Sequence, residues 1–381
     1  MPTFELISPQ QLRQYIDRHS NVVIVDTRPE SDFNEWHLDG ATHFRFTSES
    51  SFDREDFMEA TGADATQSIL TICAKGEGSR ALAERLSAAG YESVASVQDG
   101  MRGWSRVYEL QAVPTRDPEI DIMQLHRPAK GCLGYVVGWG PSEEAAVIDP
   151  TRHVDQFIDV TADTDHEITH VIDTHIHADH ISSGRALATE VGADYYLSER
   201  ATERDVRFEY TPLARNQVLE VGDIELKAIP TPGHTAEMTS LLVNDEAIFT
   251  GDTLFVDAVG RTELQYGSGL AAEGAEQLFE SLHRTILALP DAITVLPGHA
   301  SDSFQFTTDP IFSSIGALRT SLPILQVDRE TFVSRVTEEL PPKPPNFETI
   351  IDINLGAEDP PDQSAAVELE LGPNRCAVAD D

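Results

Sequence analysis

Residues 174–180 read Thr-His-Ile-His-Ala-Asp-His and follow, after Asp173, on the apolar run Ile-Thr-His-Val-Ile. A β-branched apolar run of that length reads as a buried strand, so four metal-competent side chains leave one strand end together. Neutral imidazole and carboxylate are good ligands for zinc, iron or manganese. His175 and His177 lie two apart and can reach one ion from extended backbone; Asp179 and His180 follow a bend and can face a second. Three later segments repeat the design: TPGHT with His234, FTGDT with Asp252 and LPGHA with His299, each after an apolar run and beside glycine. A chain with this pattern must bring several strand ends to one edge and carry its ligands on loops there.

The surrounding segments fit that demand. Strands are expected at LGYVVGW, EAAVIDP, ITHVIDT, ADYYLS, IELKAIPT, MTSLLVN, EAIFTGD and AITVLPG, with helices at SSGRALATEV and AAEGAEQLFESLHRTILAL. Many strands interleaved with few helices predict a two-sheet sandwich with helices outside. RETFVSRVTEEL reads as a helix stopped by PPKPP. Residues 356–381, acidic and punctuated by Pro and Gly, are expected to be poorly ordered.

The first part of the chain has a different rhythm. NVVIVDTRP and SILTIC read as buried strands, and AKGEG precedes an apolar-periodic helix, SRALAERLSAAG, with Gly90 as its stop. Strands alternating with helices predict a small parallel α/β sheet. VYELQAVPTRDPE (107–119) has two prolines and little periodicity, and is read as the linker. The expected organisation is 1–110, 118–310, a C-terminal extension of the second domain over 311–355, and a tail over 356–381.

Asp and Glu number 65 against 27 Lys and Arg, a net charge of −38, and only Lys75, Lys130, Lys227 and Lys343 are lysines. Such a field repels nucleic acid and anionic membrane, so neither is expected as a partner. Dispersed carboxylates with scarce lysine suit a protein working in high salt, where charges are screened over a few ångström. No apolar run approaches the ~20 residues that span a bilayer, and the N-terminus lacks the basic start and apolar core of a signal peptide. A cytoplasmic location is the expectation. Cys73, Cys132 and Cys376 are too widely spaced for a disulfide framework.

The set His175, His177, Asp179, His180, His234, Asp252 and His299 matches the HxHxDH…H…D…H pattern and resembles the metallo-β-lactamase superfamily. That implies an αββα sandwich. Asp149, in VIDP, is read either as a group orienting a ligand or as a turn residue. TGDTLFVDAVGRTELQYG, THIHADHISSG, KGCLGYVVG and LPPKPPNFETIIDINLG resemble the persulfide dioxygenase branch. The resemblance implies one non-haem Fe(II) held by His175, His234 and Asp252, with Arg261 orienting the site or its substrate. His177, Asp179, His180 and His299 would then support the centre or hold a second metal. The alternative is a hydroxyacylglutathione hydrolase-type thioesterase with two zinc ions. Two departures, Val259 in place of a cysteine before GRT and SDSF (301–304) where the family has a tyrosine, leave the thiol carrier open. The expected substrate is therefore a low-molecular-weight thiol persulfide, oxidised to sulfite.

DTRPESDFNEWHLDGA and GYESVASVQDGMRGW resemble rhodanese motifs, through Asp26, Arg28, Phe33, His37, Gly40, Ala41, Asp99, Gly100 and Trp104. The resemblance implies that Cys73, in CAKGEGSR, accepts sulfur from a sulfane-sulfur donor. Loop N–H groups and the helix N-terminus behind it can stabilise a persulfide anion. Gly78 stands where rhodanese loops often carry arginine. A homodimer is compatible with these readings.

Overall fold

The computed structural model describes residues 4–19, 21–140, 142–267, 269–300, 309–338, 340 and 342–378. The chain divides into two units, Met1–Tyr108 and Glu109–Asp381.

The first unit is built on an all-parallel sheet with strand order Glu5–Ile7, Ser93–Val97, Ser68–Ile72, Val22–Asp26, Ala41–His43. Ile69, Leu70 and Ile72 of the central strand are fully buried, the continuous apolar pattern of a strand covered on both faces. Asp53 caps the helix Arg54–Thr61, its Oδ1 accepting from the N–H groups of Glu55 and Asp56. This places Phe57 in the core beside Leu82, Leu86 and Tyr91. The helix after the cysteine loop runs Glu77–Ala88, two residues earlier than its periodicity suggests, because Gly76 turns the chain at φ 87°.

The second unit is a sandwich. One sheet runs Thr211–Leu213, Asp194–Ser198, Glu167–Ile172, Glu144–Ile148, Cys132–Trp139, Ile120–Arg127, Glu109–Ala112 in space. The other runs Val218–Val221, Ile224–Pro230, Thr239–Val243, Ala247–Gly251, Thr294–Pro297, Ser313–Ser314. Leu133, Tyr135 and Ile148 from the first meet Leu226, Leu241 and Phe249 from the second in one buried cluster. Ile248 and Val295 on the outer face of the second sheet pack against Leu278 and Phe332 of flanking helices. Helices Val154–Asp163 and Gly184–Val191 lie on the first sheet. This is the αββα arrangement.

Two expectations are corrected. The linker reading of 107–119 fails at Glu109–Ala112, which pairs antiparallel with Ile120–Arg127; Pro114 and the charged turn mask a strand too short to show a period. The supposedly disordered tail is ordered over its described part. Gln363–Glu370 is a helix capped by Asp362, and Ala377–Val378 pairs with Val259–Gly260. Its acidity misled, because Glu370 is buried against Arg127 and Arg152, more than 200 residues away in sequence. Local composition cannot register such compensation.

Candidate metal centre and cysteine loop

The strand Glu167–Ile172 ends one residue before Asp173, and the loop that follows carries its polar side chains into a buried cluster. His175, His177, Asp179, His180, His234, Asp252 and His299 are each at most 1% exposed. All seven predicted residues therefore converge at one edge of the sandwich.

Within that cluster the donors sort into groups. One nitrogen each of His175 and His234 and one oxygen of Asp252 lie mutually within 4.8 Å. His175 Nε2 is 3.8 Å and His234 Nε2 3.6 Å from Asp252 Oδ2. His175 Nε2 and Asp252 Oδ2 are buried without a hydrogen-bond partner, the condition in which a polar atom is costly unless something fills the gap. Two imidazole nitrogens and a carboxylate oxygen converging this way fit a divalent iron or zinc ion.

The remaining nitrogens of these rings are spoken for. His234 Nδ1 donates to the Arg261 carbonyl at 2.7 Å, which leaves Nε2 as the lone-pair atom. His175 Nδ1 is 3.0 Å from Thr174 Oγ1, and Asp149 accepts from both the N–H and hydroxyl of Thr174 at 2.7 and 2.9 Å. Asp149 thus acts on His175 through Thr174. It sits at φ 49°, so it also serves as the turn residue. Burial pushes the pKa of His175 well below the usual imidazole value, and the neighbouring His177 and His234 add to this. The shift favours the neutral imidazole, the form in which a histidine can bind a metal.

His299 is placed differently. Its Nδ1 is 2.6 Å from Asp252 Oδ1 and its Nε2 2.8 Å from Asp179 Oδ2. Burial opposes its charge, yet Asp179 and Asp252 raise its pKa well above the ordinary value. His177 Nε2 is 3.3 Å from Asp149 and 3.6 Å from Asp173. His180 Nδ1 is 3.1 Å from Asp179 Oδ1 and 3.6 Å from Cys132 Sγ. Cys376 is the further thiol that sequence reasoning missed, and it reaches Asp252 and His299 from the C-terminal segment.

The GRTELQ stretch has a physical reading as a cradle for His234. A Cβ on Gly260 would lie 1.9 Å from the Asp252 carbonyl, so only glycine fits. The Arg261 carbonyl takes the imidazole proton, and Gln265 Oε1 accepts from the Ala236 N–H at 2.6 Å. The Arg261 guanidinium, 1% exposed, faces Glu263 and the carbonyls of Pro342 and Arg375. Arg261 therefore orients His234 through its backbone and anchors the C-terminal segment through its charge. Residues 301–304, expected to differ from the family's tyrosine segment, lie outside the described residues.

In the first unit, Cys73 follows the strand Ser68–Ile72 and its Sγ accepts from the Gly76 N–H at 3.1 Å and Ser79 Oγ at 3.4 Å. Asp26 and Arg28 form a buried ion pair at 2.7 Å at the end of the neighbouring strand Val22–Asp26. At Gly78 a Cβ would come within 2.9 Å of the Phe46 carbonyl and 3.3 Å of Thr27 Oγ1. The arginine common at that position has no room here.

Comparison with known proteins agrees with this geometry. Residues 8–107 match the rhodanese-like domain and residues 127–299 the metallo-beta-lactamase superfamily. The persulfide dioxygenase ETHE1 of Bos taurus is 27% identical over 244 residues, 63% of this chain and 90% of that protein. A hydroxyacylglutathione hydrolase of Brucella anthropi is 30% identical over 207 residues, 52% of this chain and 76% of that protein. The crystal structure of ETHE1 from Myxococcus xanthus aligns with a TM-score of 0.55 at 29% identity, covering 64% of this chain and 99% of that one. Fold, converging donors and relatives agree: the chain belongs to the metallo-beta-lactamase superfamily, bears a rhodanese-like domain before it, and is a homologue of persulfide dioxygenases and hydroxyacylglutathione hydrolases.

Proposed function

We propose that this protein is a persulfide dioxygenase whose iron is held by His175, His234 and Asp252, with a sulfur-accepting rhodanese domain centred on Cys73. The observation that carries the reading is the divided carboxylate of Asp252: Oδ1 is engaged by His299, and Oδ2 faces His175 and His234. Two histidines and one carboxylate on one side of an ion form the facial arrangement of non-haem iron oxygenases. Ferrous iron bound there supplies dioxygen activation and a coordination position for the substrate sulfur.

The chain's own residues supply the rest. Thr174, backed by Asp149, fixes the ring of His175, and the Arg261 carbonyl fixes that of His234. Burial removes competing water and strengthens each of these interactions. Overall, a persulfide RSSH, dioxygen and water become RSH and sulfurous acid, ionised to sulfite. The outer sulfur loses four electrons and dioxygen gains them. At Cys73, the thiolate attacks the outer sulfur of a sulfane donor RS–S⁻; the new Cys–S–S⁻ bond forms as the donor's S–S bond breaks and RS⁻ leaves, with the Gly76 N–H positioned on the Sγ.

A second reading, a zinc thioesterase, draws on the full donor set including His177, Asp179, His180 and His299, and on the hydroxyacylglutathione hydrolase relative. Metal analysis with an oxygen electrode separates the two. One iron per chain and oxygen uptake on adding glutathione persulfide support the dioxygenase. Two zinc ions with thioester cleavage and no oxygen uptake overturn it.

A further inference from the structure

The loop that carries the metal-competent residues does not hold its own shape. Between Asp173 and Ser183 it contains neither helix nor named strand, so its buried backbone groups need other partners. Asp149 takes the Thr174 N–H and Glu237 the Ile176 N–H, and two side chains from the C-terminal segment serve four more groups. Asn354, the last residue of the helix Phe347–Asn354, donates Nδ2 to the carbonyls of His177 and His180 at 2.9 and 2.8 Å. Its Oδ1 accepts from the Ser182 N–H at 3.0 Å. Glu370 accepts from the Ile181 N–H at 2.9 Å, while its other oxygen is 2.9 Å from both Arg127 and Arg152.

Asn354 and Glu370 are 8% and 1% exposed. A buried backbone group left without a partner costs about 1–3 kcal/mol, so these contacts decide where the loop can sit. Asn354 is the more specific of the two. Only a side-chain amide offers two donors and an acceptor on one planar group, which is what two carbonyls and one N–H around Asp179 demand. An apolar residue would leave all three unmet; a carboxylate would face both carbonyls with negative charge.

We propose that Asn354 is a positioning residue for the metal centre, seconded by Glu370, so that metal geometry and retention depend on the C-terminal segment. This rests on the reading of His175, His234 and Asp252 as metal ligands, and needs no assumption about dioxygen or persulfide.

The test uses the full chain loaded with Co²⁺, following its visible absorption and its loss to a chelator. Asn354→Asp keeps size and acceptor while removing both donors. It is expected to shift the cobalt bands and speed metal loss by about tenfold or more, the range for lost partners of metal-binding groups. Asn354→Ser, the second variant should the aspartate fail to fold, is expected to move both in the same direction. Phe332→Leu, in the apolar cluster behind the second sheet, is the control: melting temperature falls while bands and release stay as in the parent. Parental bands and release in both Asn354 variants, or equal changes in Phe332→Leu, overturn the proposal. Oxygen uptake failing in the parent with cobalt behaviour as expected would overturn the dioxygenase reading alone.

Discussion

Nδ1 of His299 lies 2.6 Å from Oδ1 of Asp252, and this contact turns the other carboxylate oxygen toward His175 and His234. A carboxylate so pinned gives a metal one oxygen in a set direction. The same imidazole reaches Asp179 with its other nitrogen, so the loop after the strand Glu167–Ile172 and the loop after Ala247–Gly251 are tied together.

That arrangement predicts unequal effects of two substitutions. Asp252→Ala removes a proposed ligand and is expected to abolish retention of one metal per chain. His299→Ala removes only its orientation, and affinity is expected to fall by about 10–100-fold. Metal content after dialysis against graded chelator reads both. Equal loss in the two variants would make His299 a ligand itself.

Cys73 Sγ is held by the Gly76 N–H and Ser79 hydroxyl in a loop of the first unit. Cys73→Ser is expected to abolish sulfur transfer from a sulfane donor, because the serine hydroxyl cannot carry a persulfide. Oxygen uptake with a supplied persulfide should be unchanged. Loss of both activities would show that the two sites act in series.

Glu370 is ionised at unusually low pH. Burial alone would raise its pKa, but Arg127 and Arg152 lower it to about 2 from an ordinary 4.5. A depressed folded-state value means stability present above pH 4.5 and lost as pH falls toward 2. The difference corresponds to on the order of 3 kcal/mol. Glu370→Gln should therefore lower stability at neutral pH and flatten the acid limb between those values, measured by urea unfolding at several pH values. An unchanged acid limb would rule out Glu370 as its source.

Gly78→Arg restores the residue common in rhodanese loops, yet its Cβ would sit 2.9 Å from the Phe46 carbonyl. Overpacking of this kind costs about 1–3 kcal/mol. The variant should melt lower and gain no sulfur transfer; a stable variant with faster transfer would show that the loop opens readily.

The charge of −38 is spread over the chain, and its self-repulsion is screened over about 10 Å at 0.1 M salt and about 3 Å at 1 M. Raising potassium chloride through that range is expected to raise the melting temperature. A flat or falling curve would remove the argument for adaptation to salt.

The sequence alone determined the two-part organisation, the sandwich, and the seven side chains that meet at its edge. These were legible because buried strands must be continuously apolar, and because metal-competent residues beside glycine at strand ends have few other uses. The local signal also reached Cys73, whose loop sits between a strand and a helix. The tertiary structure supplied the contacts among the seven, with Asp252 turned toward His175 and His234 and His299 spanning two carboxylates. It also decided the standing of the last residues, where Asn354, Glu370 and Cys376 reach the centre from a segment that looks like an acidic tail. The partners named for them above lie 77 to 243 residues away in sequence, and a contact across such a distance leaves no periodicity in the chain to read.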